Sequence, residues 1–268
     1  MKKNHFFSRY SACLLCSLWF FQPLFSFNDL TTSNPKDFSL GDVYALSEEL
    51  QNPANLSFQE NQELGLSVLN RFQMKELNTG GFYWKHPNRL LNYGFKLSAF
   101  GYEDYQIISS QTSLSKKINS KIGIGINLVY FNQSSLLEEN AKHFFSSGIG
   151  FYSILNPKID WAFSVDNLLS TSSSELPISV HSGVKYSPYP NTFFLLEGSY
   201  RDNDYFNLSV GFEYFLLEQF ILRTGFKTNP KTPSLGIGYV LDKWKIDAGF
   251  SLHSTLGISS VIGISYTL

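Results

Sequence analysis

The sequence predicts an all-β protein, a transmembrane up-and-down antiparallel β-barrel of about 14 strands with a short N-terminal plug in its lumen. Composition gives the first indication: among 268 residues only 16% are charged, whereas 16% are aromatic. Soluble proteins usually have about 25% charged residues, so this balance favours a membrane or secreted protein. The second indication is a period-two alternation of hydrophobic and polar residues along most of the chain, which is typical of strands with one apolar face.

Residues 1–26 are expected to form a secretory signal peptide. A basic start precedes an apolar run from Ala12 to Phe21, and the small residue Ser26 follows near the expected cleavage point. The run is too short to span a bilayer, which needs about 20 residues. Both cysteines of the chain lie in this segment, so we expect the remaining chain to contain no disulfide and no thiolate metal site.

The balance of charge argues against one class of partner. The 21 Lys and Arg residues face 22 Asp and Glu residues, so the chain has no basic surplus with which to neutralise phosphates along a polynucleotide. We therefore expect no nucleic-acid partner. The residues also suggest no cofactor.

Residues 27–60 lack a strand pattern and are predicted to form the periplasmic or plug segment ahead of a barrel at residues 61–268. Within it, the stretch from Gly41 to Leu50 is predicted to form a short helix, with Ser39 as a possible cap. The predicted helix ends before the turn-forming residues that begin at Asn52.

The barrel region divides into fourteen predicted strands, although twelve is a possible count. Their alternation is clearest between Lys243 and His253, where every second residue from Trp244 is apolar. The predicted strands begin near Leu64, Asn78, Leu91, Ile107, Lys121, Phe144, Lys158, Leu176, Thr192, Asp204, Phe220, Thr232, Lys243 and Leu256.

One face of the clearest strands carries no charge, and the opposite face carries all of theirs. The charged positions on that opposite face are Lys96, Asp160, Asp166, Lys185, Glu213, Lys245 and Asp247. A soluble β-sandwich also alternates, so the period alone does not decide whether the apolar face meets a protein core or lipid. Other features of the sequence must decide it.

Three features favour lipid. Tight turns alternate with longer loops, as in outer-membrane barrels, and the polar face is rich in Gly and Ser, as expected for a narrow lumen. Aromatic residues also recur at one predicted level, where a periplasmic girdle would meet lipid headgroups. The predicted girdle consists of Trp161, Tyr186, Tyr214, Tyr239, Trp244 and Tyr266. Replacement by Arg should therefore be tolerated poorly at Ile124 and Phe212, and a polar replacement far better at Gly125 and Ser209.

Hydrogen bonding requires the sheet to close, because unpaired backbone groups in hydrocarbon each cost several kcal/mol. The last strand carries Gly263, Tyr266 and Leu268, a pattern that resembles the carboxy-terminal signal read by the barrel-assembly machinery. An ordinary final strand would often match it too. The expected partners are therefore outer-membrane lipid and that machinery, and the expected location is the outer membrane of a Gram-negative bacterium.

Charged residues predicted to face the lumen cluster on three successive strands. These residues, Glu197, Arg201, Glu213, Arg223 and Lys227, are placed to pair across neighbouring strands. They could line a selective solute path or form a salt-bridge network that stiffens a plugged barrel. We favour the network, because buried charges need partners whatever the function.

Nothing in the sequence predicts an enzyme. The histidines His86, His143, His181 and His253 lie on different strands or strand ends without metal-ligand spacing. Pairs such as His181 and Ser182 are strand neighbours, so their side chains point to opposite faces. We expect no catalytic residues, no cofactor-binding residues and no metal site. Aromatic residues near the outer strand ends, among them Phe144 and Phe145, are expected to belong to a girdle and less so to a partner site.

A short motif before the barrel carries a resemblance to a known family. Asn52, Pro53, Ala54 and Leu56 form an Asn-Pro-Ala-x-Leu motif directly ahead of the predicted strands. With the late stretches 222–226 and 233–238, the chain resembles the FadL-like superfamily, and more narrowly its PorV/PorQ type. The resemblance implies that the amino-terminal segment folds into the lumen as a plug.

The same resemblance implies two functions. The favoured one is a non-enzymatic structural or cargo-binding outer-membrane component that works with type IX secretion components. The alternative is a small passive or gated channel that takes up hydrophobic solutes, with a hydrophobic ligand as its partner.

Overall fold

A computed structural model describes residues 27–32, 34–137, 140–202 and 206–268. Within these residues, fourteen antiparallel strands form one closed barrel. Its strands are β1 (Glu63–Asn70), β2 (Asn78–His86), β3 (Asn92–Tyr102), β4 (Tyr105–Lys117), β5 (Ile122–Ser135), β6 (Lys142–Asn156), β7 (Ile159–Ser170), β8 (Ser179–Tyr189), β9 (Thr192–Arg201), β10 (Asn207–Phe215), β11 (Phe220–Lys227), β12 (Thr232–Leu241), β13 (Trp244–His253) and β14 (Gly257–Thr267).

This architecture confirms the predicted fold class and the larger of the two strand counts. The predicted strand starts lie close to the observed ones. Among the described residues the largest difference is at β8, which was predicted to begin near Leu176 and begins at Ser179. The predicted start of the tenth strand, Asp204, lies outside the described residues. The signal peptide predicted at residues 1–26 also lies outside them.

Each strand pairs with its neighbours along the chain, and β1 closes the circle by pairing with β14. That closing register runs without a shift from the pair Glu63 and Thr267 to the pair Asn70 and Ser260. The amide of Leu268 also donates a hydrogen bond to the carbonyl of Gln62, at 2.9 Å. The barrel therefore presents no open sheet edge, as hydrocarbon surroundings require.

The apolar residues of the alternating strands lie on the outside of the barrel. On β13, the side chains of Trp244, Ile246 and Phe250 are exposed, whereas Asp247 between them is buried. A protein in water would hide such a face, so this exposed apolar surface suits lipid. None of the helices in the described part of the chain is long and apolar enough to cross a membrane.

We call the two ends of the barrel the terminal rim and the loop rim. The terminal rim is the end where β1 begins and β14 ends, and the loop rim is the other end. Connections at the loop rim include the longest, residues 171–178, but the connection between β3 and β4 covers only residues 103–104. The predicted alternation of loop lengths is therefore incomplete, since Gly101 with a φ of 101° permits a tight turn there.

Residues 27–60, which we call the lumenal segment, contain short helices and no strand. They are α1 (Phe27–Thr31), α2 (Pro35–Ser39) and a 3₁₀ helix (Pro53–Phe58), and a second 3₁₀ helix (Lys75–Leu77) lies in the loop after β1. The helix predicted from Gly41 to Leu50 was wrong. Gly41 and Asp42 have φ values of 81° and 59°, in the left-handed region that ends a helix.

Candidate functional site

The candidate functional site is the barrel lumen, which the lumenal segment occupies. Helix α2 lies against β11, β12, β13 and β14, while the 3₁₀ helix lies against β3, β4, β5 and β6. The side chains of Leu40, Leu50 and Leu56 are completely buried between the segment and the barrel wall. The segment thus contacts opposite parts of the wall and fills the space between them.

Glycines on the inner face of the wall allow this close contact. A Cβ atom built on Gly125 would lie 2.6 Å from the backbone of Pro53, and one on Gly225 would lie 2.2 Å from the backbone of Leu40 and Gly41. The expectation that Gly125 tolerates a polar side chain is therefore contradicted by the geometry. Sequence reasoning recognised the Gly-rich face but not the backbone that packs on it.

The Asn-Pro-Ala-x-Leu motif fixes the turn from the lumenal segment towards the wall. The Asn52 side chain accepts a hydrogen bond from the Ala54 amide at 3.0 Å and donates one to the Ala45 carbonyl at 2.8 Å. Pro53 starts the 3₁₀ helix that follows, where its missing N–H costs nothing. The Leu56 carbonyl accepts a hydrogen bond from the Asn92 side chain at 2.7 Å, which attaches the end of the motif to β3.

A buried triad of charges spans four strands of the wall, from β10 to β13. Arg223 donates from Nε to Glu213 and from Nη1 to Asp247, each at 2.6 Å. The guanidinium passes over Gly238, where a Cβ atom would lie 3.1 Å from it. Lys36 of the lumenal segment joins the triad through Glu213, at 3.1 Å. The pairing predicted between Glu213 and Arg223 is present, and the roles of Lys36 and Asp247 in it were not foreseen.

The other three predicted lumen charges contact the lumenal segment. Glu197 accepts hydrogen bonds from the amides of Tyr44 and Ala45 at 2.8 to 3.0 Å. Arg201 forms an ion pair with Asp29 at 2.7 Å, and Lys227 forms one with Asp42 at 3.3 Å. Sequence reasoning had considered partners on neighbouring strands, because period-two patterning carries no information about a segment that has no such period.

Tyr44 and His181 extend the contact around Glu197. Their rings stack with centroids 4.3 Å apart, and His181 Nδ1 lies 3.2 Å from a Glu197 carboxylate oxygen. The Asp166 carboxylate lies 3.9 Å from the other ring nitrogen. Although His181 was noted in the sequence, nothing there indicated these neighbours. Among the described residues, no group of three or more His, Cys, Asp or Glu side chains is arranged to hold a metal ion.

One carboxyl group of the lumenal segment is unusually placed. Asp37 lies outside the strands and is buried, and its Oδ2 accepts hydrogen bonds from the side chains of Asn34 and Ser47. Burial raises the pKa of Asp37 well above its ordinary value of 3.8, because water no longer solvates the ionised form. The proton on this carboxyl is thus held more firmly in the folded segment than in a released one.

Cavities lie on both sides of the lumenal segment. Towards the loop rim, a cavity of about 190 Å³ is lined by Val43, Arg201 and Lys227. Towards the terminal rim, a cavity of about 270 Å³ is lined by Leu40 and Leu46 together with charged residues, and another of about 370 Å³ is lined mostly by polar and charged residues. The segment therefore stands between the spaces at the two ends of the lumen.

An apolar cluster closes part of the loop rim. Phe27 is buried there among Phe100, Phe131 and Phe144, and its ring centroid lies 5.7 Å from that of Phe131 and 5.2 Å from that of Phe144. Phe144 was expected in a girdle, but it points into the lumen. Phe144 lies on the even-numbered inward row of β6 with Ser146, Gly148 and Gly150, so the alternation of β6 itself accounts for its direction.

The predicted girdle residues lie at a similar level along the barrel axis. Trp161, Tyr186, Tyr214, Tyr239, Trp244 and Tyr266 all stand at or near the strand ends that form the terminal rim. The rings of Trp244 and Tyr266 are 4.7 Å apart, and Trp161 donates a hydrogen bond to Ser182 at 3.1 Å. Their role at a headgroup level stays a prediction, as does the role of Gly263, Tyr266 and Leu268 in insertion.

Comparison with known proteins gives the fold and nothing finer. No protein-family model matches the chain, and no curated protein matches it. Among solved structures, the Pseudomonas putida toluene transporter TodX is 13% identical with a TM-score of 0.68, over 90% of this chain and 99% of that one. A Pseudomonas aeruginosa FadL homologue is 11% identical with a TM-score of 0.68, over 88% and 98%.

The Ralstonia pickettii toluene transporter TbuX shows the same likeness. It is 10% identical with a TM-score of 0.64, over 90% of this chain and all of that chain. Identities this low show shared architecture alone. This chain therefore has the closed barrel fold of FadL-type outer-membrane transporters.

Proposed function

We propose that this chain is a non-enzymatic barrel of a Gram-negative outer membrane that takes up small hydrophobic solutes through a lumen closed by its own lumenal segment. The fold supports the proposal, since the neighbours named above are toluene transporters and a FadL homologue. The channel alternative from the sequence is thus favoured over the secretion-related function.

The apolar loop-rim cluster is the observation that carries the proposal. Phe27 occupies a space among aromatic rings that would equally suit the ring of a hydrophobic solute. A second apolar cluster follows inside the lumen, where Leu40, Val43 and Leu46 meet Leu195. A hydrophobic solute would find apolar contacts at both places, and both are built partly from the lumenal segment.

Passage requires the lumenal segment to move, because its side chains fill the space between these clusters and the terminal rim. The segment is held to the wall by many polar contacts, of which the ion pairs of Asp29 and Asp42 are partly exposed, whereas the hydrogen bonds to the Gln51 and Leu56 carbonyls are buried. Ion pairs that are partly exposed contribute little to stability. Displacement of the segment is therefore the step that we expect to limit uptake.

An engineered disulfide tests this directly. A Cβ atom on Gly211 would lie 3.0 Å from the Leu40 Cβ, so a small outward shift of the segment brings the pair to the spacing of about 3.8 Å found in disulfides. The double variant Leu40→Cys/Gly211→Cys should fix the segment to β10 when oxidised. Uptake of radiolabelled toluene by Gram-negative cells that carry this barrel should fall to background, and reduction should restore it.

Each single cysteine variant is the matched control and should transport whether oxidised or reduced. The residues after position 26 contain no cysteine of their own, so no other pairing competes. Toluene uptake that is no faster with the unmodified barrel than in cells without it would contradict the proposal. Uptake that continues through the cross-linked barrel would contradict displacement of the segment.

A second function has one observation in its favour. The lumen is filled across its middle by fully buried side chains such as Leu40 and Leu56, as suits a structural or cargo-binding component of the type IX secretion kind that conducts nothing. Such a component should co-purify with secretion proteins and remain silent in planar bilayers. Open, steady pores would contradict it.

A further inference from the structure

The terminal rim carries a group of exposed cations that the lumen does not use. Five of them, which we call the basic sector, lie at or beside three consecutive turns of this rim: Arg89 between β2 and β3, Lys116 and Lys117 at the end of β4, Lys121 between β4 and β5, and Lys158 between β6 and β7. The turn residues 87–91, 116–121 and 155–158 contain no acidic residue. One side of this rim is therefore strongly positive.

These cations have no acidic partner among the described residues. In the part of the chain that the structure describes, none of the five forms an ion pair with an Asp or Glu side chain, whereas Arg223, Lys227 and Lys36 of the lumen all do. Exposed like charges at neighbouring turns repel one another. A surface arranged in this way gains from an external anion.

A groove runs through the middle of the basic sector. It has a volume of about 460 Å³ and is lined by Arg89, Lys116 and Lys117 from the turns and by Phe58 and Glu60 at the end of the lumenal segment. The Lys117 ammonium lies 5.0 Å from the centre of the Phe58 ring. Three cations and one carboxylate thus surround a space that could hold a small anionic group.

The loop rim does not share this positive charge. Its described connections carry the exposed acidic residues Glu76, Glu103, Asp104 and Asp202. Three exposed lysines, Lys75, Lys142 and Lys231, lie among them. The excess of positive charge is therefore specific to the terminal rim.

The position of the basic sector indicates which anion meets it. Lys116 is on the outward face of β4 and is in register with Ile124 of β5, an exposed residue of the lipid-facing surface. Leu90, Ile118 and Leu155 of the same turns are also exposed. Cations beside exposed apolar side chains at the end of a spanning strand lie at the level of lipid headgroups.

We propose that the basic sector binds the phosphate of an anionic phospholipid in the leaflet around the terminal rim, with the groove between Arg89 and Lys117 as its centre. An arginine fork suits phosphate geometry, and each cation near an anionic leaflet adds to the attraction. The inference is independent of the transported solute.

Tryptophan fluorescence can test this site by site. Trp84 lies at the terminal end of β2, directly before the Arg89 turn, whereas Trp244 lies at the same rim on β13. The double variants Trp161→Phe/Trp244→Phe and Trp84→Phe/Trp161→Phe leave one of these two reporters in residues 27–268. Each is placed in bilayers containing either phosphatidylglycerol or phosphatidylcholine brominated near the glycerol end of its chains.

We expect brominated phosphatidylglycerol to quench Trp84 more than brominated phosphatidylcholine does at equal mole fraction, and Trp244 to show no such preference. The triple change Arg89→Gln/Lys116→Gln/Lys117→Gln should lower the relative affinity for phosphatidylglycerol at Trp84 by at least about tenfold. The matched triple Lys75→Gln/Lys142→Gln/Lys231→Gln removes the same charge from the loop rim and should leave it unchanged.

High salt tests the same interaction without any substitution in the groove. At about 1 M salt the electrostatic screening length falls to about 3 Å, so the preference of Trp84 for phosphatidylglycerol should disappear. Equal quenching of Trp84 by both lipids would overturn the proposal. So would a preference that survives salt or the groove triple, or one equally strong at Trp244. Binding of an acidic peptide at the groove without any lipid preference would assign the surface to a protein partner and overturn it too.

Discussion

Gly125 illustrates how a single missing side chain positions the lumenal segment. Its Cα faces the backbone of Pro53, and a Cβ atom there would lie 2.6 Å from that backbone. The change Gly125→Ala should lower the free energy of unfolding by about 1 to 3 kcal/mol, as overpacking does. Urea unfolding in lipid vesicles measures this loss of stability. Gly80→Ala is the control, because nothing lies within 4 Å of a Cβ at Gly80, and equal losses at both sites would contradict the explanation.

Arg223 holds two buried carboxylates at once. The change Arg223→Met should cost up to about 3 to 5 kcal/mol, because Glu213 and Asp247 would each keep only one cationic partner, Lys36 and Lys245 respectively. The triple variant Glu213→Gln/Arg223→Met/Asp247→Asn should recover most of that loss, since no unpaired charge remains among the three. Equilibrium unfolding of both variants in vesicles decides this, and a triple variant as unstable as Arg223→Met would refute it.

Asp37 makes the docking of the lumenal segment depend on pH. Burial raises its pKa well above 3.8 in the folded segment, so below pH 3.8 both the folded and the released segment carry the proton and docking is strongest. As pH rises from 3.8 towards the raised pKa, only the released segment loses the proton, and docking weakens by up to about 1.4 kcal/mol per pH unit.

Limited proteolysis of the lumenal segment across this pH range measures the effect. The protected fraction should fall with rising pH in the unmodified protein, relative to the Asp37→Asn variant, which has no proton to lose. Parallel profiles for the two proteins would show that Asp37 does not control docking. The comparison also removes contributions from Asp29 and Asp42, since both proteins retain those ion pairs.

Among the elements, β5 gives the sharpest measure of the lipid-facing surface. Ile126 is exposed near the middle of its outward row, and Ile122 stands at its terminal end. The change Ile126→Arg should cost about 2 to 4 kcal/mol, whereas Ile122→Arg should cost about 0 to 1 kcal/mol. Unfolding of the two variants in vesicles gives both free-energy costs for the same Ile-to-Arg change on one strand. Similar costs at the two positions would mean that hydrocarbon does not cover β5 as we infer.

The stretch after α2 depends on a single side chain of β9. Glu197 accepts backbone hydrogen bonds from Tyr44 and Ala45, and a hydrogen bond to a charged group contributes about 1.5 to 3 kcal/mol. Glu197→Ala should expose this stretch to protease, and Glu197→Gln, which keeps one acceptor oxygen, should do so less. A segment equally protected in both variants and the parent would show that Glu197 does not hold it.

The strands could be predicted because each carries its own evidence. On β13, Trp244, Ile246 and Phe250 alternate with polar residues, and burial of the latter requires no knowledge of distant neighbours. The lumenal segment gave no such signal. Its conformation from Gly41 onward follows from contacts with Phe226, Glu197 and Ser234, which are far away in the sequence, so the predicted helix from Gly41 to Leu50 failed.

For the molecule as a whole, closure was predictable and the contents of the lumen were not. Closure follows from the cost of unpaired backbone groups in hydrocarbon, which applies to any such barrel. The partners of Arg201 and Lys227 depend instead on where Asp29 and Asp42 come to lie. Sequence alone identified the charged wall residues, but the choice between strand partners and lumenal partners needed the folded segment.

The seam between β1 and β14 fixes the order in which this protein can be assembled. These strands come from opposite ends of the barrel sequence, yet they pair over eight consecutive positions, so the ring cannot shut until β14 has been synthesised. The lumenal segment contacts wall strands β2 to β6 and β11 to β14 and is surrounded once the ring is closed. We therefore expect the segment to enter before or during the pairing of β1 with β14, because a ring that closed first would leave it only the two rims as a way in.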